Sequence, residues 1–138
     1  MSWRFLDYLD ARGTNPIRTW LDDLPDRKAE TKIRTLLLNL TALPRLEPPY
    51  VKPITGYDGI FEIRVGRQGI QYRPLGCYGP GRGEFTLLIG ATEQGDEIRP
   101  PRAFEIATGR RVIILNERSR TCDHDFGSAS PDHRQPTE

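Results

Sequence analysis

The chain has 138 residues, 28% of them charged, and a formal net charge of only +1, so overall charge does not announce a nucleic-acid partner. That length fits one domain with a real hydrophobic core. Two cysteines in 138 residues, no apolar run of membrane-spanning length and an opening MSWRFLDYLD without a secretion-type core point to a reduced, cytoplasmic, soluble protein with no membrane association.

Trp3–Leu9 is short and aromatic and reads as a strand that needs a partner later in the chain. Asn15 followed by Pro16 is a helix start, because the side-chain oxygen caps free N–H groups and proline lacks the N–H that would be orphaned there. Ile17, Trp20, Leu21 and Leu24 form its apolar stripe. Pro25 ends or kinks this helix. A second helix begins at Pro25 or Asp26 and runs to Leu43, with Ala29, Ile33, Leu36, Leu37, Leu40 and Leu43 at helical spacing. Pro44 stops it, and Pro48-Pro49 keep the next segment extended toward a short strand or bulge over Val51–Ile54.

Gly59–Tyr78, GIFEIRVGRQGIQYRPLGCY, is the most informative stretch. Two alternating runs flank Gly66-Arg67-Gln68-Gly69, a hairpin signature. With Gly66 opposite Gly69, Phe61, Ile63, Val65, Ile70 and Tyr72 share an apolar face. Glu62, Arg64, Gln71 and Arg73 share the other face, with Glu62 opposite Arg73 and the two arginines diagonal at about 7–8 Å. Two readings of that polar face stand: a solvated Arg73–Glu62 pair beside a free Arg64, or an anion site. Glu84–Thr92 is continuously apolar and reads as a central strand covered on both faces. Glu93–Pro101 is a polar connection, and Arg102–Leu115 a last helix. From Glu117 the chain is polar and is expected to be a disordered tail, leaving residues 1–116 as the domain.

Both histidines lie in that expected tail, so the domain lacks a histidine base. No glycine-rich phosphate loop opens a helix, and no nucleophile has an evident partner. Cys122, Asp123, His124 and Asp125 are potential metal ligands, but adjacent residues rarely all reach one ion, so no metal and no organic cofactor is expected. The remaining inventory of Arg, Tyr, Glu, Asp and Lys suits RNA cleavage by the substrate's own 2′-hydroxyl. There the protein aligns the groups, stabilises charge on the phosphate and moves protons.

The words Pro16-Ile17-Arg18-Thr19-Trp20-Leu21-Asp22-Asp23-Leu24, Val51-Lys52-Pro53-Ile54 with Gly56, Gly59-Ile60-Phe61-Glu62-Ile63-Arg64, Tyr72-Arg73, Leu87-Leu88-Ile89-Gly90 and the helix Arg102–Arg111 follow in an order that resembles the RelE/HigB-like toxins of type II toxin–antitoxin modules, closest to the phage-derived HigB-like branch. The likeness spans residues 3–116. It implies a small α+β fold: an N-terminal strand and two helices packed on an antiparallel sheet, with a C-terminal helix. It also implies a ribosome-dependent mRNA endonuclease neutralised by a cognate helix-turn-helix antitoxin, meeting operator DNA only through that complex. Arg64 and Arg73 would be the catalytic, phosphate-stabilising pair. Lys52, Glu62, Arg67, Tyr72, Arg99 and Arg102 would bind RNA or support them. One departure is that the family's basic pair after the last strand is here the acidic run Glu93-Gln94-Gly95-Asp96-Glu97. Two other functions therefore stay open: a catalytically degenerate member that binds antitoxin and operator, and a ParE-like gyrase inhibitor.

Overall fold

A computed structural model describes residues 3–127 and 129. The chain folds as an α+β protein around one eight-stranded sheet of order β2-β3-β5-β6-β1-β8. The strands are β1 (Arg4–Tyr8), β2 (Val51–Pro53), β3 (Phe61–Ile63), β4 (Val65–Arg67), β5 (Ile70–Tyr78), β6 (Glu84–Gln94), β7 (Glu97–Arg99) and β8 (Thr121–Asp123); β4 also pairs with β5, and β7 with β6. The helices are α1 (Pro16–Asp23), α2 (Arg27–Leu40) and α3 (Ala103–Asn116), and a 3-10 turn covers Arg118–Arg120. β1 runs parallel to β6, so the sheet is mixed, although most of its pairs are antiparallel.

Local chemistry sets the helix starts. The Asn15 side chain accepts from the Arg18 N–H at 3.0 Å, with Pro16 at the first helical position. The Asp26 carboxylate accepts from the N–H groups of Lys28 and Ala29. α1 and α2 then bury Ile17, Leu21, Ala29, Ile33, Leu36, Leu37 and Leu40 against one sheet face, which supplies Phe5, Val51, Ile63, Val65, Tyr72, Phe85 and Leu87. Each fully buried large aliphatic side chain here is worth roughly 1.5–3 kcal/mol of transfer free energy. α1 approaches β6 closely at Gly90, where a Cβ would lie 1.9 Å from the Trp20 ring. The Trp20 indole N–H donates to Thr92 Oγ1 at 3.2 Å.

α3 covers the opposite face, burying Ala103, Ala107 and Ile114 against Tyr8, Ile60, Leu75, Cys77, Leu88 and Ala91. β6 is thus sheathed on both sides, as its unbroken apolar run requires. No helix of the described residues is long and apolar enough to cross a membrane.

Three expectations need correction. The hairpin closes as Arg67↔Ile70, Gly66↔Gln71 and Val65↔Tyr72, two residues away from the register with Gly66 opposite Gly69. Its turn is Gln68-Gly69, both with positive φ (52° and 80°), the two-residue geometry that matches the twist of paired strands. Because the shift is even, every side chain keeps its face. Next, the polar connection after Thr92 is itself a hairpin: β6 runs on to Gln94, and β7 returns along it with Glu93↔Ile98. Finally, the segment from Glu117 is ordered as far as it is described. β8 pairs with the free edge of β1, Asp7↔Cys122 and Leu6↔Asp123, because an open strand edge offers backbone partners whatever the side chains are. The rest of the expected tail, residues 128 and 130–138, lies outside the described residues.

Candidate functional site

β2, β3 and β5 bring most of the expected polar residues together. Lys52 stands opposite Glu62 in the β2–β3 ladder. The ladder between the β3–β4 run and β5 is interrupted where Pro74, which has no N–H, faces it. On the same register count Arg64 stands across from Arg73, an arrangement that two cations alone would disfavour. Glu62 resolves it. Its carboxylate accepts from Arg73 Nε at 2.6 Å and meets Arg64 Nη2 at 3.4 Å from both oxygens.

The two arginines are not equivalent. Arg73 is 8% exposed, and its Nη1 donates to Glu93 Oε1 at 3.0 Å. Its guanidinium also lies 5.2 Å from the centroid of the Phe104 ring. Two carboxylates and an aromatic lid therefore enclose most of it, leaving little of the guanidinium exposed. The Arg64 side chain is 49% exposed and, among the described residues, has only the long contact to Glu62. Lys52 is exposed and has no hydrogen bond or ion pair among the described residues.

A cleft of about 400 Å³ opens on this surface, lined by Tyr50, Lys52, Glu62, Arg64 and Gln71 among others. It offers an ammonium, a guanidinium and an amide around one carboxylate. Such a set can hold a phosphate by its oxygens and can accept or supply a proton beside it.

The other expected supporting residues lie elsewhere. Arg67 pairs with Asp26, the α2 cap, at 2.6 Å. Tyr72 is 2% exposed in the core under α1 and α2, and burial pushes its phenol above the ordinary value. Arg99 sits on β7, separated from β3 by β5 and β6, and pairs with Glu97 at 3.2 Å. Arg102 is exposed at the N-cap position of α3, without a side-chain cap bond. Neither lines the cleft, so neither replaces a basic pair in it.

Two features escaped sequence reasoning. Tyr50 lines the cleft; the available signal was an aromatic placed between Pro48-Pro49 and Lys52. The other is a buried pair outside the cleft. His124 Nδ1 lies 2.9 Å from Asp7 Oδ1, both residues almost fully buried, and Asn15 Nδ2 donates to Asp7 Oδ2 at 2.9 Å. An acid inside the apolar run WRFLDYL was the signal for it. The neighbouring tail residues diverge: Cys122 toward Asn15, Asp123 toward Arg4, and Asp125 toward Arg18. Among the described residues no three His, Cys, Asp or Glu side chains gather as a metal site.

Residues 19–112 match the sequence model of the family described as phage-derived protein Gp49-like (DUF891). No curated protein and no solved structure matches the chain.

Proposed function

Since the chain belongs to the phage-derived Gp49-like family, which is associated with the toxins of toxin–antitoxin modules, we propose that it is such a toxin and that its target is mRNA, cut on the ribosome. The antitoxin partner follows from the family association. The endonuclease reading rests on one observation: Lys52 and the half-exposed Arg64 flank Glu62 in a single open cleft.

In this reaction the RNA 2′-oxygen attacks the adjacent phosphorus and the 5′-oxygen leaves, giving a 2′,3′-cyclic phosphate and a 5′-hydroxyl end. Negative charge grows on the non-bridging oxygens, where Lys52 and Arg64 stabilise it. Glu62 is the carboxylate lining the cleft and takes the 2′-hydroxyl proton. Lys52, a compact ammonium with a labile proton, protonates the departing oxygen. Arg73 acts one step back, as a positioning residue that fixes the Glu62 carboxylate through the 2.6 Å bond.

The test is inducible expression of the wild type beside Arg64→Ala, with mapping of mRNA 5′ ends. We expect 5′-hydroxyl ends within translated reading frames, reduced about 100-fold or more in the variant. Arrest with intact mRNA, or cuts that persist in Arg64→Ala, would overturn the assignment. The enclosure of Arg73 by Glu62 and Glu93 favours a second reading, a toxin-fold protein that binds its antitoxin without turnover. That reading gives neither cuts nor arrest, with antitoxin binding retained.

A further inference from the structure

A second cleft, of about 480 Å³, lies beside the first and shares one wall residue with it, Tyr50. Its walls are Leu43, Pro44, Pro48 and Tyr50, with Arg45 and Glu47 also lining it. Both of those charged residues are exposed. We propose that this second cleft is a nucleobase subsite, which binds the base adjoining the phosphate held at Lys52 and Arg64. The inference rests on the RNA reading of the first cleft and names how the strand is gripped beyond its phosphate.

The wall is fixed before any ligand arrives. After α2 the chain turns back on itself, with the Leu43 N–H donating to the Leu40 carbonyl at 3.1 Å. Leu46 is 4% exposed in the core, and its carbonyl accepts from the Tyr78 hydroxyl. The N–H groups of Tyr50 and Val51 both donate to the Glu47 carbonyl, at 3.1 and 3.2 Å, which leads the loop straight into β2. Three prolines, at 44, 48 and 49, hold φ and so limit the entropy left to lose on binding.

The chemistry of the two clefts is complementary in the way a single strand requires. One presents cations to a phosphodiester. The next presents a flat aromatic ring and apolar walls of a size typical of small-ligand pockets, roughly 300–1,000 Å³. Proteins grip single-stranded nucleic acid by this alternation of cationic contact and base stacking. Tyr50 is partly buried against the α1–α2 core while lining both clefts, and its hydroxyl makes no hydrogen bond among the described residues. Arg45 supplies a second guanidinium for stacking, and Glu47 an acceptor for an exocyclic amine.

Titration of the isotope-labelled full chain with inorganic phosphate, ribose 5-phosphate, adenosine and adenosine 5′-monophosphate, followed by backbone amide shifts, decides it. Phosphate and ribose 5-phosphate should move amides around Lys52, Arg64 and Gly66. Adenosine 5′-monophosphate should also move Arg45, Glu47 and Tyr50, and bind about fivefold or more tighter than ribose 5-phosphate. Tyr50→Ala should erase that gain and Tyr50→Phe keep it, each with a dispersed spectrum that certifies the fold. Equal affinity for the two phosphates, a gain that survives Tyr50→Ala, or no response to the nucleotide overturns the subsite. Shifts at Tyr50 with adenosine, and none at Lys52 or Arg64 with any phosphate, would instead retain the base subsite and overturn the phosphate reading of the first cleft.

Discussion

Removing the Arg73 side chain would leave Glu62, 8% exposed, with only the 3.4 Å approach of Arg64. Breaking a buried pair from one side costs about 3–5 kcal/mol, because the remaining charge is left without compensation. Arg73→Ala should lose that much in urea unfolding, whereas Arg64→Ala, which removes a half-exposed partner, should stay within about 0.5 kcal/mol of wild type. The contrast matters for function. A toxicity defect in Arg73→Ala confounds folding with chemistry, and one in Arg64→Ala does not. The sharing of a face by Glu62, Arg64, Gln71 and Arg73 was legible in the sequence, since strict alternation survives an even register shift. The burial of Arg73 was not, because its lid comes from Glu93 and Phe104, on a strand end and a helix that only the tertiary fold brings over β5.

Among the elements, β8, like β7, is one that composition hides. A polar run without periodicity carries no strand signal, and what orders it is the vacant edge of β1 together with the buried Asp7–His124 contact. His124→Ala should leave Asp7 with Asn15 as its remaining donor and cost about 1–3 kcal/mol, read by urea unfolding and by faster proteolysis across residues 117–124. Asp123→Ala removes only an exposed pair with Arg4 and should stay within about 0.5 kcal/mol. The cap residues Asn15 and Asp26 and the stripe of α2 were readable because they are local signals. α3 was less so: its apolar residues run all round, leaving Val112 and Leu115 54% and 44% exposed.

For the molecule as a whole, Glu84 is a junction. Its carboxylate accepts from Arg118 Nη2 at 2.5 Å, from the Gly81 N–H at 2.9 Å and from Arg4 Nη1 at 3.3 Å, joining β1, the β5–β6 loop and the turn before β8. The hydrogen bond from Arg118 leads the groups that hold its carboxyl below the ordinary value of 4.5, against the opposing effect of burial. A carboxylate with a depressed folded-state value contributes stability at neutral pH. That contribution is lost as acidity protonates it, first through the unfolded and then through the folded value. The stability gap between wild type and Glu84→Gln, about 1–3 kcal/mol at neutral pH, should therefore close as the solution is taken from about pH 5 to about pH 3, measured by unfolding at each pH.

The position of β1 between β6 and β8 also fixes an order of assembly. The strands that carry the first cleft, β2 to β5, lie within residues 51–78 and pair across short connections. β1, with Phe5, Leu6 and Tyr8 buried, precedes both its partner strands, and Arg4 finds Glu84 only 80 residues later and Asp123 only 119 residues later. Until β6 is made the nascent chain therefore carries an apolar strand without strand partners, the kind of segment that recruits other chains. β8 then covers the other edge of β1. As a three-residue edge flanked by the Arg4–Asp123 pair, it is a poor template for a further strand, so the finished sheet stops growing where the charged tail lies down.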